Sequence, residues 1–320
     1  AGGPLNQSGT IRGRFLADQD DSHSFVDSEW YKTTSLYGAL DFDLSEATTL
    51  GMAVSQSDGE SRSNVRGFPR YSDGKPIDLS RSTYTGAKWN HSDIDVTTLY
   101  TDLEHRFNDD WAFKVGAVRM TETNKAKNQR VQSSGSGIRP DGTGVQYADF
   151  VTDLDSTKVA LDMNVIGKFE ALSMQQEIMV GGSYSKYTSD DKFARTFNNS
   201  TDKIFDIDHD RPDISYEDLI DSGGRGVPSQ YDIRQKGLYG SWRVKPIEQL
   251  TLVLGSRVSW YDYSYKSSTE TLSGTTVNPE STANETGEVT PYAGIVYDLS
   301  REWAVYASYT DVFTPQTERD

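Results

Sequence analysis

The stretch STKVALDMNVIGKFEALSMQQEIMVGGSYSKY, Ser156 to Tyr187, decides how the chain is read. Val159, Leu161, Met163, Val165 and Phe169 share one parity, while Lys158, Asp162, Asn164 and Lys168 share the other. Successive side chains point to opposite faces only in a strand, so this is a half-buried strand. After a bend at Glu170 to Ser173, Met174, Ile178 and Val180 line one face and Gln175, Glu177, Ser183 and Ser185 the other. Each arm exceeds the roughly 5 or 6 residues of a common soluble strand. Each also exceeds the roughly 9 to 11 that a tilted strand needs to cross a bilayer.

The same alternation recurs along the chain. Ile11 to Ala17, Leu36 to Leu44, Leu50 to Val54, Leu99 to Phe107, Trp111 to Ala117, Tyr231 to Val244, Leu250 to Tyr265, Val289 to Tyr297 and Trp303 to Val312 read as further strands. With the two arms of the central hairpin they make about 11. Tight turns near residues 46, 109, 171, 247 and 300 alternate with longer polar links. Those links are Asp18 to Glu29, Ser57 to about Asp93, Thr121 to Asp155, Thr188 to Gln230, and the Ser-, Thr- and Gly-rich segment ending near Glu288. In an up-and-down sheet every second connection lies on the same rim, so the short turns gather on one rim and the long links on the other. Outer-membrane barrels have this asymmetry. Aromatic residues near the strand ends, Trp111 and Trp303 on one side and Tyr184, Tyr187, Trp260 and Tyr261 on the other, suit interfacial girdles. The fold expected is therefore all-β, an antiparallel up-and-down transmembrane β-barrel.

Composition is consistent with strands that cross a membrane. The 320 residues are 35% hydrophobic with a mean hydropathy of -0.65, and no window approaches the roughly 18 apolar residues of a membrane helix. Alternating strands average to low hydropathy. The start, AGGPLNQSG, has neither the basic nor the apolar region of a signal peptide, so a leader has been removed or the chain is a piece. There is no cysteine, which excludes disulfides and thiolate chemistry. With 48 acidic against 32 basic residues and a formal charge of -16, no nucleic-acid partner is expected.

Four segments carry a family resemblance: GGPLNQSGTIRGRF at Gly2 to Phe15, LSRSTYTGAKW at Leu79 to Trp89, LYTDLEHRF at Leu99 to Phe107 and VYASYTDVFTPQ at Val305 to Gln316. They resemble, in order, the barrel of TonB-dependent ferric-siderophore receptors, in particular the ferripyoverdine and hydroxamate-type branch. The resemblance implies a barrel of about 22 strands with a plugged lumen, an outer-membrane location, a ferric siderophore as transported ligand, and the TonB system as energy source. It implies no intrinsic cofactor and no enzymatic activity. Nothing in the chain resembles a plug domain or TonB box. Residues 1–320 are expected to be part of a single barrel domain, with the plug and the C-terminal strands absent from it.

Polar positions opposite the apolar parity then face a lumen: Arg12, Arg14, Asp41, Asp43, Asp102, Glu104, Arg106, Lys158, Asp162, Gln175, Glu177 and Arg257. A ferric siderophore arrives chelated, so its site needs aromatic walls and a few polar groups rather than metal ligands. The candidates near the long-loop rim are Trp89, Tyr147, Tyr187, Tyr231 and Tyr261, with Trp89 first. Arg139, Arg195, Arg211 and Arg225 are candidate contacts for an anionic ligand.

Other chemistry finds weaker footing. Asp206, Asp208 and Asp210 flank His209 without the Gly and terminal Glu of a calcium loop. Gly135-Ser136-Gly137 is not a nucleophile elbow, and Gly223-Gly224-Arg225-Gly226 lacks the Lys-Ser/Thr of a phosphate loop. Two rival readings are an outer-membrane barrel enzyme using His91 or His209 as base, and a soluble β-sandwich that binds carbohydrate or protein.

Overall fold

The computed structural model describes every residue except 64, 65, 136, 316 and 318–320. Ser136 of the Gly135 to Gly137 triplet and Gln316 at the end of the last resembling segment lie outside the described residues. The strands are β1 (Gly2–Pro4), β2 (Ile11–His23), β3 (Trp30–Ser45), β4 (Thr48–Arg62), β5 (His91–Arg106), β6 (Trp111–Ser133) and β7 (Val145–Ala171). After them come β8 (Met174–Asn199), a one-turn helix α1 (Tyr216–Asp221), β9 (Arg225–Ile247), β10 (Leu250–Thr271), β11 (Gly274–Val277), β12 (Ser281–Asp298) and β13 (Ala304–Thr310). They form one antiparallel 13-stranded sheet in chain order, with β11 and β12 both paired to β10. The sheet is not closed. A β-sandwich, which needs two sheets packed face to face, is not what the described residues form.

All eleven expected strands are present. The two unexpected ones, β1 and β11, are too short to show a periodicity. The larger correction concerns length. Several segments read as polar links are strand: β6 continues to Ser133 and β8 to Asn199, and β7 already starts at Val145. The long-rim connections shrink to 24–29, 63–90, 134–144, 200–224 and the bend around β11. The alternation of rims survives, because the other connections remain tight.

Local chemistry explains the tight rim. Asn108 Oδ1 accepts from the backbone N–H of Asp110 and of Trp111, each at 2.9 Å. Ser300 Oγ likewise accepts from Glu302 and Trp303, each at 3.2 Å. Asn and Ser close turns this way because a short side chain imitates a backbone acceptor. Between β7 and β8 the loop is Leu172-Ser173, with φ of 55° and 59°, the two positive angles that match the twist of paired strands.

Register sorts the two faces. One cross-strand row runs Ile11, Phe42, Leu50, Leu103, Val115, Met163, Gly182, Leu238, Val258 and Val289. It is apolar from β2 to β12, with Leu238 and Val289 within it 61% and 58% exposed and Val180 just below it 60% exposed. An apolar surface this continuous is intolerable in water and required in hydrocarbon. On β7 the apolar positions run from Val159 to Phe169, about 33 Å along the strand and about 23 Å of thickness at a tilt near 45°. That is close to the ~25 Å band of an outer-membrane barrel.

The opposite face carries every polar residue expected there. Arg12 pairs with Asp43, which also accepts from Thr49 at 3.1 Å. Lys114 pairs with Glu104 at 3.0 Å, and the Tyr239 hydroxyl donates to Asp162 at 2.8 Å. Arg257 donates through Nη2 to Ser183 at 2.8 Å and through Nε to Ser259 at 3.1 Å. Glycines let these long groups lie flat: a Cβ at Gly237 would sit 2.1 Å from the Arg257 guanidinium, and one at Gly181 would sit 2.5 Å from the Tyr239 ring. On the apolar face the Trp111 ring covers Gly167 in the same manner.

Of the expected girdle residues, Tyr184 and Trp260 stand on the apolar face, linked in one row through Lys236. Tyr187 and Tyr261 do not: the odd step along the strand turns both to the polar face. Trp242, its Nε1 donating to Gln176 at 2.9 Å, joins Trp111 and Trp303 at the short-turn end.

Candidate functional site

The candidates separate into two groups. Tyr187, Tyr231 and Tyr261 come together on the polar face near the long-loop rim, joined by Tyr263 and Tyr265, which the sequence reading passed over. Tyr231 and Tyr265 are direct cross-strand partners, with ring centroids 4.6 Å apart and planes at 41°. Tyr231 and Tyr263 lie 6.1 Å apart, and Tyr261 and Tyr263 stack at 6.4 Å and 13°. Tyr187 is linked through Ile233 to Tyr263 across β8, β9 and β10. The signal that could have revealed the whole group is YDYSY at 261–265: three tyrosines at a spacing of two must share a face. Tyr261 itself is buried, while Tyr187, Tyr231, Tyr263 and Tyr265 remain partly open.

Below this cluster a cavity of about 270 Å³ is bordered by Gln235, Arg257, Ser259, Tyr261 and Phe313. A larger hollow, about 1080 Å³, is elsewhere, bordered by Leu5, Phe15, Leu40, Met52, Val54 and Leu99. Those side chains belong to the apolar face, so size there reflects a hydrocarbon-facing groove and not a polar ligand site.

Tyr147 and Trp89 stand apart from that cluster. Tyr147 is wholly buried in a cluster with Ile77, Val131, Ile138, Val145 and Ile204, where the connections 63–90, 134–144 and 200–224 meet. Its hydroxyl donates to Asp202 at 2.7 Å, and Arg211 lies 4.1 Å over its ring. A ring enclosed on all sides lines no open cavity. Tyr147→Phe is expected to cost this loop cap about 1–2 kcal/mol. Hydrogen exchange on the whole protein in detergent should show faster exchange in 200–211 with the barrel's unfolding midpoint unchanged, and unaltered exchange would contradict the role. Trp89 does stand at the rim just before β5, half-buried, with its Nε1 sealed away without a partner. It is not among the residues gathered around Tyr231.

Polar bonds tie the same loops together. Asn90 and Gln129 bind reciprocally, each bond 2.8 Å, and Gln129 donates to Asp149 at 2.7 Å. His209 Nδ1 lies 2.7 Å from the Gly86 carbonyl, and burial pushes the nearby Tyr84 hydroxyl up to about 12. Lys88 pairs with Asp210 at 2.8 Å. His91 instead meets Asp93 at 2.8 Å. On α1, Ser215 caps the N-terminus, and its hydroxyl holds the Asp218 carboxyl below the usual range. The helix rests on Val151 and Ala194 through Leu219.

Of the four loop arginines, Arg139 donates to Thr143 at 3.3 Å and Arg211 covers Tyr147. Arg195 and Arg225 are register partners and fall on the same face as Tyr231. Arg225 donates to Thr269 at 3.2 Å, and Arg195 lies 5.5 Å over Phe197. Two arginines on neighbouring strands therefore stand about 20 Å above Tyr231 along β9. Cations outside and stacked phenols further in can draw an anionic complex toward a flat, aromatic resting place.

Residues 37–320 match the family described as TonB dependent receptor-like, beta-barrel. The chain is 40% identical over 98% of its length to the ferric-pyoverdine M114 receptor of Pseudomonas sp. strain M114. It is 34% identical, again over 98%, to the ferripyoverdine receptor of Pseudomonas aeruginosa. It spans 38% and 37% of those relatives' own length. The crystal structure of the P. aeruginosa outer-membrane ferripyoverdine receptor bound to ferripyoverdine superposes with a TM-score of 0.83 at 32% identity, covering 98% of this chain and 40% of that one. A family match over most of the length, carried on a sheet with the height and rim asymmetry of an outer-membrane barrel, leaves one placement: the chain belongs to the β-barrel of the TonB-dependent receptors, a family of the bacterial outer membrane.

Proposed function

We propose that the whole protein binds a ferric siderophore of the pyoverdine class beneath its long loops and imports it with energy supplied by the TonB system. The observation that carries this reading is the tyrosine cluster around Tyr231, on the lumen side and below the Arg195 and Arg225 pair. Its support is that the two relatives above are named as ferric-pyoverdine receptors. Iron held by the siderophore needs no protein ligand, and binding needs no covalent step.

On the same reading residues 1–320 are one part of a single barrel domain. The bare edges at β1 and β13 pair with further strands of a barrel of about 22, since an open edge inside a bilayer leaves backbone groups unsatisfied. The lumen-side belt of Arg12, Asp43, Glu104, Lys114, Asp162 and Arg257 faces a plug domain, which it holds by charge-assisted hydrogen bonds. Opening the path then requires only that force on the plug break a few of these.

The test is uptake. Iron-limited cells deleted for the intact gene should lose accumulation of one radiolabelled ferric pyoverdine and regain it on complementation. Unchanged uptake across a panel of ferric siderophores would overturn the proposal.

A further inference from the structure

Just above Tyr231 the lumen side of the wall holds a carboxylate that nothing neutralises. Asp191 on β8 lies directly opposite Leu154 of β7 and Ser229 of β9. On the same face, two residues lower, Ser156, Ser189, Tyr231 and Tyr265 form the next rung. Asp191 Oδ1 is sealed from solvent and accepts no hydrogen bond among the described residues. Ser189 is 5% exposed, and its Oγ is likewise without a partner. Ser156 and Ser229 beside them are buried too. Buried polar groups are nearly always satisfied, so two open acceptors at neighbouring positions call for a donor from outside the chain.

The surroundings select the kind of donor. On β7 and β8 the nearest lumen-side cations are Lys158 below and Arg195 above, each four residues from the rung of Asp191, about 13 Å. Neither forms an ion pair with Asp191 among the described residues. Glu122 shares the face and the rung of Ser189, so the local charge is negative. Diagonal neighbours on one face lie about 7 Å apart, within reach of an aromatic side chain. Tyr231 stands diagonal to Asp191, with the Tyr265 ring 4.6 Å from its own. The face of such a ring attracts a cation.

We propose that Asp191 is a specificity-determining residue, receiving an alkylammonium group carried by the ferric siderophore between its carboxylate, the Ser189 hydroxyl and the Tyr231 ring. An ammonium fits because it has three N–H donors and no acceptor, matching two open oxygens and a π face. With Arg195 and Arg225 higher on the same wall, a ligand bearing both signs of charge enters in one orientation, its anionic part toward the arginines and its ammonium toward Asp191. The inference rests on the siderophore reading of this site and adds the chemistry by which one siderophore is told from another.

The experiment uses the whole receptor in detergent and the ferric form of a pyoverdine with a lysine in its peptide, compared with the same complex after acetylation of the lysine amine. Acetylation removes the charge and leaves the iron chelated, which the visible absorbance of the complex verifies. Binding is followed by fluorescence quenching. The wild type should bind the parent complex at least about tenfold more tightly than the acetylated one. Asp191→Asn should weaken the parent by about the same factor and leave the acetylated complex within about twofold, so that the preference disappears. Ser189→Ala should reduce the preference about threefold. A merely structural role would weaken both complexes alike, and that result overturns the assignment. So does a wild type that binds both equally, an outcome that needs no variant to fold. A wild type that binds no ferric pyoverdine, acetylated or not, overturns the siderophore reading itself and this inference with it.

Discussion

On the proposed function, replacing Tyr231 and Tyr263 together by alanine in the whole receptor should weaken binding of a ferric pyoverdine about thirtyfold or more, equivalent to about 2 kcal/mol. Both rings lie on the lumen side, partly open and in contact with a third aromatic. Aromatic groups of that kind dominate binding energy because they offer large rigid area at little entropic cost. The conservative Tyr231→Phe keeps the stack and should change affinity by no more than about threefold. Tyr147→Phe, inside the loop cap, should leave affinity nearly unaltered. Equilibrium binding by intrinsic fluorescence quenching separates these variants. An affinity unchanged by the double substitution would remove the cluster from the site.

The second large effect concerns which face meets lipid. Leu238→Arg places a guanidinium near the middle of the apolar band and should cost about 2–4 kcal/mol of folding into vesicles. The same charge introduced on the other face of the same strand, as Gln235→Arg, should cost less than about 1 kcal/mol, because lumen positions already hold Arg257 and Lys158. Urea titrations of the whole receptor in lipid vesicles give both numbers. Equal costs for the two substitutions would mean that the faces have been assigned wrongly.

How far the structure was legible depended on where each strand lies relative to the bilayer. Within the band, lipid on one side and lumen on the other force a contrast at a period of two, so Val159, Leu161 and Met163 against Lys158 and Asp162 announce a strand. Above the band both faces meet water. Thr123, Asp155 and Asp190 occupy outward positions there, opposite polar neighbours, and the contrast vanishes although the hydrogen-bond ladder continues. That is why β6, β7 and β8 were read short. The tyrosine cluster was half legible: Tyr187, Tyr231 and Tyr261 were found from their nearness to the rim, and Tyr263 and Tyr265 could have been added by parity alone. The place of Tyr147 was beyond reach of any local pattern, whereas Trp89 stands at the rim just before β5, as its position in the sequence indicated. The burial of Tyr147 is produced by Ile77, Ile138 and Ile204 arriving from three separate connections, a tertiary event without a sequence period.

The ladder between β7 and β8 runs without a register break from Ala171 paired to Met174 up to Gln146 paired to Asn199. Residues added or removed between Asn199 and Arg225 therefore displace no rung beneath them, and the same holds for 63–90 above β4 and β5. What spans the membrane and what is offered to the surroundings can therefore vary separately. A lineage of such proteins can trade its outer crown for another, much as antibodies trade hypervariable loops, and so change its prey or escape a predator that grips the crown without having to reinvent the cylinder.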